Sequence, residues 1–409
     1  MGYIKDAIKG VSWMGTLRVL IRGLGFFRIA ILARLLTPSQ FGIFGIAALV
    51  LSFLEIATET GINIFLIQVK ENIDDFINTA WIVSILRGIL ISFAIIISAP
   101  LIVNIFNLSE VYPLLIWVSM VPLIRGFINP SIVKFQKELM FKKEFILRTT
   151  LYTLDAVVVI IFALITRSAL SLVIGLIFSS LLEVLLSFIF VKPRPIFHLD
   201  IGKAKKIISR GKWITGFGLF DYLFQNVDDF FIGKIMGTSP LGVYQVAYKI
   251  SSLPVSEIAD VFAKVTFPIY SKFESDKKRM KNAFIKTLTV SAVLMLSFGI
   301  LIFLFPLQII SILLGSNWLE AVDVLKVLAV YGVLKGLTGI SQTLFLAIGK
   351  QEYITFITFI TLLGLSVAII PLINKYGIIG AGTSAVIGSI FGLIITIYFT
   401  FRYFKNDKK

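Results

Sequence analysis

The chain has 409 residues, 57% of them hydrophobic, 13% aromatic and only 15% charged, where soluble proteins run to roughly 45–50% apolar and about a quarter charged. A mean hydropathy of +0.94 and recurring apolar runs of ~20 residues mark a polytopic helical membrane protein, and because the runs are continuous rather than alternating they exclude a membrane β-barrel. The absence of cysteine and the single histidine exclude disulfides, thiolate chemistry and cysteine-rich metal sites; His198 reads as a solvated loop residue.

Twelve crossings are predicted, at 11–33, 41–67, 78–104, 112–132, 149–166, 169–191, 213–235, 241–268, 287–313, 320–346, 352–373 and 377–401. The first is interrupted by Arg18, Arg22 and Arg28 and lacks a small-residue cleavage site, so it does not read as a cleavable signal. Odd-to-even connections are short, from "RLLTPSQ" at 34–40 to "NKYG" at 374–377. Even-to-odd connections hold the positive charge: Lys134 to Arg148, then Lys192 to Lys212, then Lys272 to Lys286. Basic residues in short loops face the cytoplasm, so both termini are expected inside a cell membrane. The formal charge of +16 is therefore a matter of topology and anionic headgroups. It does not point to nucleic acid, since no basic and aromatic element stands outside the membrane.

"TPSQFGIFGIA" at 37–47 returns 200 residues later as "GTSPLGVYQVA" at 237–247, Ser39, Gly42 and Ala47 answering Ser239, Gly242 and Ala247. The match pairs span 2 with span 8. Six spans per half return the chain to the side where it began, which implies a parallel repeat. The expected organisation is an N-terminal lobe 1–191, a basic cytoplasmic linker 192–212, a C-terminal lobe 213–401 and a basic tail 402–409. "KPRP" at 192–195 breaks the chain, and 201–213 reads as a short basic helix at the membrane surface.

Charges inside spans are the most informative feature, because each costs about 3 kcal/mol at the bilayer centre unless paired or hydrated. Arg18 and Arg22 share a face of span 1, and Glu55 and Glu59 share a face of span 2. Spans 3 to 6 carry Arg87, Arg125, Asp155 and Glu183. Span 7 presents Asp221, Gln225 and Asp228 as a stripe with Asp229 alongside; span 8 presents Lys249 and is expected to kink at Pro254, a candidate moving part. Arg18, Arg22, Glu55, Asp228 and Lys249 are the candidates for lining a functional cavity, with Asp221 and Gln225 on the stripe of Asp228. For Glu59 a structural pair with an arginine of span 1 stands beside a cavity role, and Lys264 and Lys335 are expected to snorkel to the cytoplasmic face.

"KGVSWMGTLRVL" at 9–20, "ILARLLTPSQFGIFGIA" at 31–47, "NVDDFFIGKIMGTSPLGVYQVAYKISSLPV" at 226–255 and "FPIYSKF" at 267–273 resemble Wzx-type polysaccharide flippases. The resemblance is to the WzxC and TuaB-like branch of the multidrug, oligosaccharidyl-lipid and polysaccharide exporter superfamily. It implies an all-α fold of two six-helix bundles around a central cavity. It further implies movement of a polyprenyl-(pyro)phosphate-linked oligosaccharide from the cytoplasmic to the outer leaflet, for exopolysaccharide, O-antigen or another surface glycan. Polysaccharide polymerases and glycosyltransferases would then be candidate partners. A drug or organic-cation antiporter of the same superfamily, working through Asp228 and Glu55, is the alternative. No GxxxxGK[ST] loop occurs, so no cofactor is expected; the coupling ion, proton or sodium, stays open.

Overall fold

A computed structural model describes the backbone of residues 2–273 and 276–405, and their side chains except those of 2–12, 210–214, 217 and 224. The expected positions Arg210, Lys212, Lys408 and Lys409 therefore lie outside the described side chains. All described regular structure is helical: α1 Gly2–Leu35, α2 Pro38–Ala57, α3 Ile62–Gln68, α4 Asp74–Phe106, α5 Val111–Val118, α6 Met120–Arg125, a 3-10 turn Pro130–Val133, α7 Lys134–Lys137, α8 Phe141–Thr166, α9 Leu170–Phe190, α10 Ile201–Met236, α11 Thr238–Lys272, α12 Lys277–Leu304, α13 Pro306–Leu313, a 3-10 turn Ser316–Trp318, α14 Ala321–Ala347 and α15 Gln351–Lys405.

Every expected span falls on helix, and the departures have local causes. The start of α2 explains why "TPSQ" stands there: the Gln40 amide donates to Thr37 Oγ1 and the Thr37 amide to Gln40 Oε1, a reciprocal cap with Pro38 in the first turn. Span 2 does not run through to residue 67. Helix α2 ends at Ala57, and the chain restarts as α3 after Gly61, whose φ of +63° suits glycine. Span 4 is likewise bent, Val111–Arg125 and Pro130–Lys137 meeting at 70°, where Pro130 cannot donate to a continuing helix. Gly377, at φ 61° and ψ −139°, separates the two helices joined in α15 at the break expected between spans 11 and 12.

Among the described residues seven helices are long and apolar enough to cross a membrane, or eight with the bent pair as one span. Helices α1, α10 and α11, at 34, 36 and 35 residues, are ample in length but interrupted by charge. Counting those three and the division of α15, the architecture is consistent with twelve crossings.

Two compact units are present, Met1–Gln225 and Asn226–Lys409. In the first, α2 packs on α4 and α5, α4 on α5 and α6, and α1, α8 and α9 form a row. In the second, α11 packs on α12 and α14, α12 on α14, and α14 on α15. Since α2 corresponds to α11 in the repeat, α4 to α12 and the α5–α6 pair to α14, the same neighbours recur in each unit. Close approach in the second unit depends on glycine: a Cβ at Gly336 would lie 2.6 Å from Val255 of α11 and 2.8 Å from Met295 of α12. The linker is docked on the first unit. Pro193 O accepts from Asn129 Nδ2 and Ser131 Oγ, the Ile196 amide donates to Asn78, and the Asp200 amide donates to Thr79.

Candidate functional site

The first unit pairs its intramembrane acids with arginines of neighbouring helices. Arg125 Nη1 lies 2.9 Å from Glu55 Oε1, and its Nε donates to Ser180 Oγ of α9. Arg87 of α4 reaches Glu59 Oε2 at 3.1 Å and also donates to Thr58 Oγ1 and the Glu55 carbonyl. Arg28 of α1 meets Asp155 of α8, and Arg148 of α8 lies 3.4 Å from Glu183 of α9. Each pair ties two helices together, and each replaces the hydration an ionised group would lose in the bilayer. The pair of Glu59 is thus with span 3, not with span 1. The reason is the break after Ala57. It frees the Thr58–Gly61 backbone from helical spacing, and Glu59 Oε1 then accepts from the Gly61 amide while Oε2 faces Arg87.

The pairs of Glu55 and Glu59 lie at the interruption between α2 and α3, where irregular backbone falls inside expected span 2. Such backbone is tolerated only where protein groups or a polar cavity satisfy it. Here Thr58 Oγ1 donates to the Leu54 carbonyl, and Thr215 Oγ1 of α10 donates to the Glu59 carbonyl at 2.6 Å. Tyr222 of α10 donates to the Leu49 carbonyl, so α10 around 215–222 lies beside α2.

The second unit treats its acids differently. Asp228 is buried, 6% exposed. Its Oδ2 accepts from the Tyr244 hydroxyl at 2.7 Å, and its Oδ1 accepts from the Asp229 amide. Asp229 Oδ2 accepts from Gln245 Nε2 at 2.9 Å. The spacing explains the match: residues 228 and 229 near the end of α10 face 244 and 245 on α11, one helix of each hairpin arm. Tyr248, one turn beyond Tyr244, accepts from Lys335 Nζ of α14 at 2.9 Å, and that ammonium stands 5.6 Å from the ring centres of both Tyr248 and Tyr331. Lys335 does not snorkel to the cytoplasmic face as expected. A hydroxyl acceptor and two ring faces hold it in place where the alternative was an extended stem and a wet head.

The remaining expected residues are placed as follows. Arg18 is half-buried and Arg22 exposed on α1, Lys249 is exposed on α11, and Asp221 and Gln225 bond to each other at 2.8 Å on α10. Arg18 and Arg22 belong to the first unit and Lys249 to the second. Helix α11 continues through Pro254, which leaves the Ile250 carbonyl without its helical donor. Sequence reasoning missed Tyr244, Tyr248, Tyr331 and Gln245, which look like ordinary span residues. The only signal is the i, i+4 spacing of Tyr244 and Tyr248 on α11; Gln245 and Tyr331, the latter on α14, carry none. Among the described residues no group of acids and histidine is arranged to hold a metal.

A family model described as "Polysaccharide biosynthesis protein" matches residues 31–323. The lipopolysaccharide biosynthesis protein WzxC of Escherichia coli (strain K12) is 23% identical over 337 residues, 82% of this chain and 68% of that one. The teichuronic acid biosynthesis protein TuaB of Bacillus subtilis (strain 168) is 25% identical over 355 residues, 85% of this chain and 72% of that one. Among solved structures, the lipid II flippase MurJ in an inward closed conformation superposes with a TM-score of 0.75 at 16% identity, covering 94% of this chain and 87% of that one. A multidrug resistance MATE family transporter of the MOP superfamily, inward-facing, gives 0.70 at 17% identity, covering 95% and 96%.

Proposed function

The chain belongs to the polysaccharide biosynthesis protein family, and from that membership we propose that it flips a lipid-linked oligosaccharide between membrane leaflets by alternating access, as a transporter and not an enzyme. The observation that carries the reading is the set of ionised and hydrogen-bonded side chains held inside helices that are otherwise apolar. A sugar and a phosphate can cross hydrocarbon only along such groups. The names of the relatives, which concern lipopolysaccharide and teichuronic acid biosynthesis, support a carrier lipid bearing an oligosaccharide through a polyprenyl phosphate or pyrophosphate. The cargo would move from the cytoplasmic to the outer leaflet of the cell membrane, with both termini of the chain cytoplasmic. The two lobes are 1–191 and 213–401, joined by the linker 192–212.

Arg18, Arg22 and Lys249 are the cations proposed to meet the phosphate, since charge-assisted contacts offset its dehydration. Support comes from chemistry: all three are fixed positive charges on spans. Glu55, Asp221, Gln225 and Asp228 would bind sugar hydroxyls or the coupling ion, proton or sodium. Pro254 would let α11 bend. For a cell negative inside, outward movement of anionic charge is downhill by about 2.3 kcal/mol per charge per 100 mV. The test is Arg18→Ala with Arg22→Ala in a strain lacking the native gene. Surface glycan should vanish while the protein still reaches the membrane; normal glycan would remove the phosphate role. Transport of a fluorescent organic cation by the purified protein in vesicles, with no flipping of lipid-linked sugar, would replace the whole reading.

A further inference from the structure

The segment after α9 and the first turns of α10 have two apolar sides. One is satisfied by protein: Ile207 is fully buried and Ala204 packs beside it, in a cluster with Phe65, Phe76 and Ile77. The other is open. Ile196 is 65% exposed, Phe197 76% and Ile201 78%, and Ile208, seven residues from Ile201 and so on its stripe, is 52% exposed. Open apolar area on a segment held this firmly is a cost unless something covers it. Flexibility does not explain it, because the segment is bonded to α4 and the span 4 turn at Asn78, Thr79, Asn129 and Ser131. Phe197 is also set against the ring of Trp81 at 4.7 Å.

The charges around the open side identify what covers it. Lys192, Arg194 and Lys205 are exposed there, whereas Lys206 pairs with Glu71 at 3.4 Å and lies 5.9 Å from the Phe76 ring. Asp200 turns inward to cap α10 through the Lys203 amide, which holds its carboxyl below the usual carboxylate range. Lys203 is held inward too, donating to the Asp75 carbonyl and lying 5.5 Å from the Phe76 ring. Cations interleaved with outward apolar side chains match a phosphodiester surface over acyl chains, and the apolar side continues directly into Ile189 and Phe190, 63% and 57% exposed at the end of α9.

We propose that residues 191–209 form a strap that binds anionic phospholipid headgroups, with Lys192, Arg194 and Lys205 on the phosphates and Ile196, Phe197, Ile201 and Ile208 seated among the upper acyl carbons. The strap is bonded to the first unit, so this surface anchors that unit at the interface while the cargo path is served by other residues. The proposal does not depend on the identity of the cargo.

The chain has no cysteine of its own, so a single Ile201→Cys carries one fluorophore. The labelled full-length protein goes into nanodiscs of phosphatidylcholine with equal fractions of quencher-bearing phosphatidylglycerol or quencher-bearing phosphatidylcholine. Quenching by phosphatidylglycerol should be about threefold stronger, should weaken in 1 M salt, and should fall to near parity in Lys192→Gln/Arg194→Gln/Lys205→Gln. A label at Leu185→Cys, on the lipid-facing side of α9, should be unaffected by the triple variant and so reports intact fold. Equal quenching by both lipids, a preference that survives the triple variant, or quenching only by aqueous iodide would each overturn the proposal.

Discussion

The two units neutralise particular acids of their spans by different means. In the first, Glu55, Glu59, Asp155 and Glu183 each face an arginine on another helix. In the second, Asp228 and Asp229 face a tyrosine hydroxyl and a glutamine amide, and the nearby lysine sits between tyrosine rings. An ion pair ties two helices and leaves an uncompensated charge if one partner moves away. A hydroxyl or amide donor can be traded for water or a sugar hydroxyl at lower cost, because the newcomer bonds the same carboxyl oxygen and the departing group carries no charge. The first unit therefore reads as a braced frame and the second as a surface whose hydrogen bonds can exchange.

That contrast can be broken or sharpened by substitution, taking the largest effect first. Arg28→Met should destabilise the purified protein by about 3–5 kcal/mol, because Asp155, with a side chain 8% exposed, is left charged without its partner. The double variant Arg28→Met/Asp155→Leu should recover most of that loss in the same detergent unfolding measurement, since an apolar pair needs no compensation. Tyr244→Phe removes the donor to Asp228 and should cost about 1.5–3 kcal/mol. If it costs as much as Arg28→Met, the contrast between the units fails. Lys335→Met, which keeps the stem and deletes the ammonium, should cost about 2 kcal/mol through the lost Tyr248 bond and ring contacts. Glu59→Gln should cost about 1 kcal/mol or less, because Glu59 and Arg87 are 39% and 24% exposed and Arg87 keeps its other acceptors.

The smallest effect lies outside the membrane. The Asp200 carboxyl is held below its ordinary range chiefly by the Lys203 amide, with Gly202 and the charges of Lys203 and His198 adding to it and burial opposing. A lowered carboxyl stabilises the fold above its unfolded value and loses that contribution as pH falls through the lowered one. Protection of the Lys203 amide, its exchange rate relative to a free amide at the same pH, should accordingly hold from neutral pH down and fall only in strong acid, and Asp200→Asn should flatten that response.

Much of this was legible beforehand. The break at Gly377 lies in the "NKYG" connection at 374–377, and the repeated stretches at 37–47 and 237–247 open α2 and α11. Glu55 and Glu59 share a face because they are four apart, and both do meet arginines. Which arginines was not legible, because Arg125 and Arg87 are brought to them by helix packing over sequence separations of 70 and 28 residues. The interruption at Thr58–Gly61 was also missed: the hydropathy of span 2 carries on across it, so only the backbone shows that Glu59 has left the helix. Lys335 misled for a related reason. Its partners, Tyr248 and Tyr331, read as apolar bulk until the packing of α11 on α14 sets a hydroxyl and two ring faces around it.

The central claim is tested most directly by reconstituting the purified chain in vesicles with a polyprenyl-pyrophosphate oligosaccharide confined to the outer side, and timing its loss from an impermeant sugar-oxidising or lectin probe. Protein-dependent movement of the sugar to the protected side, abolished by Arg18→Ala/Arg22→Ala, is the predicted result. Sugar that stays fully accessible in vesicles holding correctly folded protein would contradict the account.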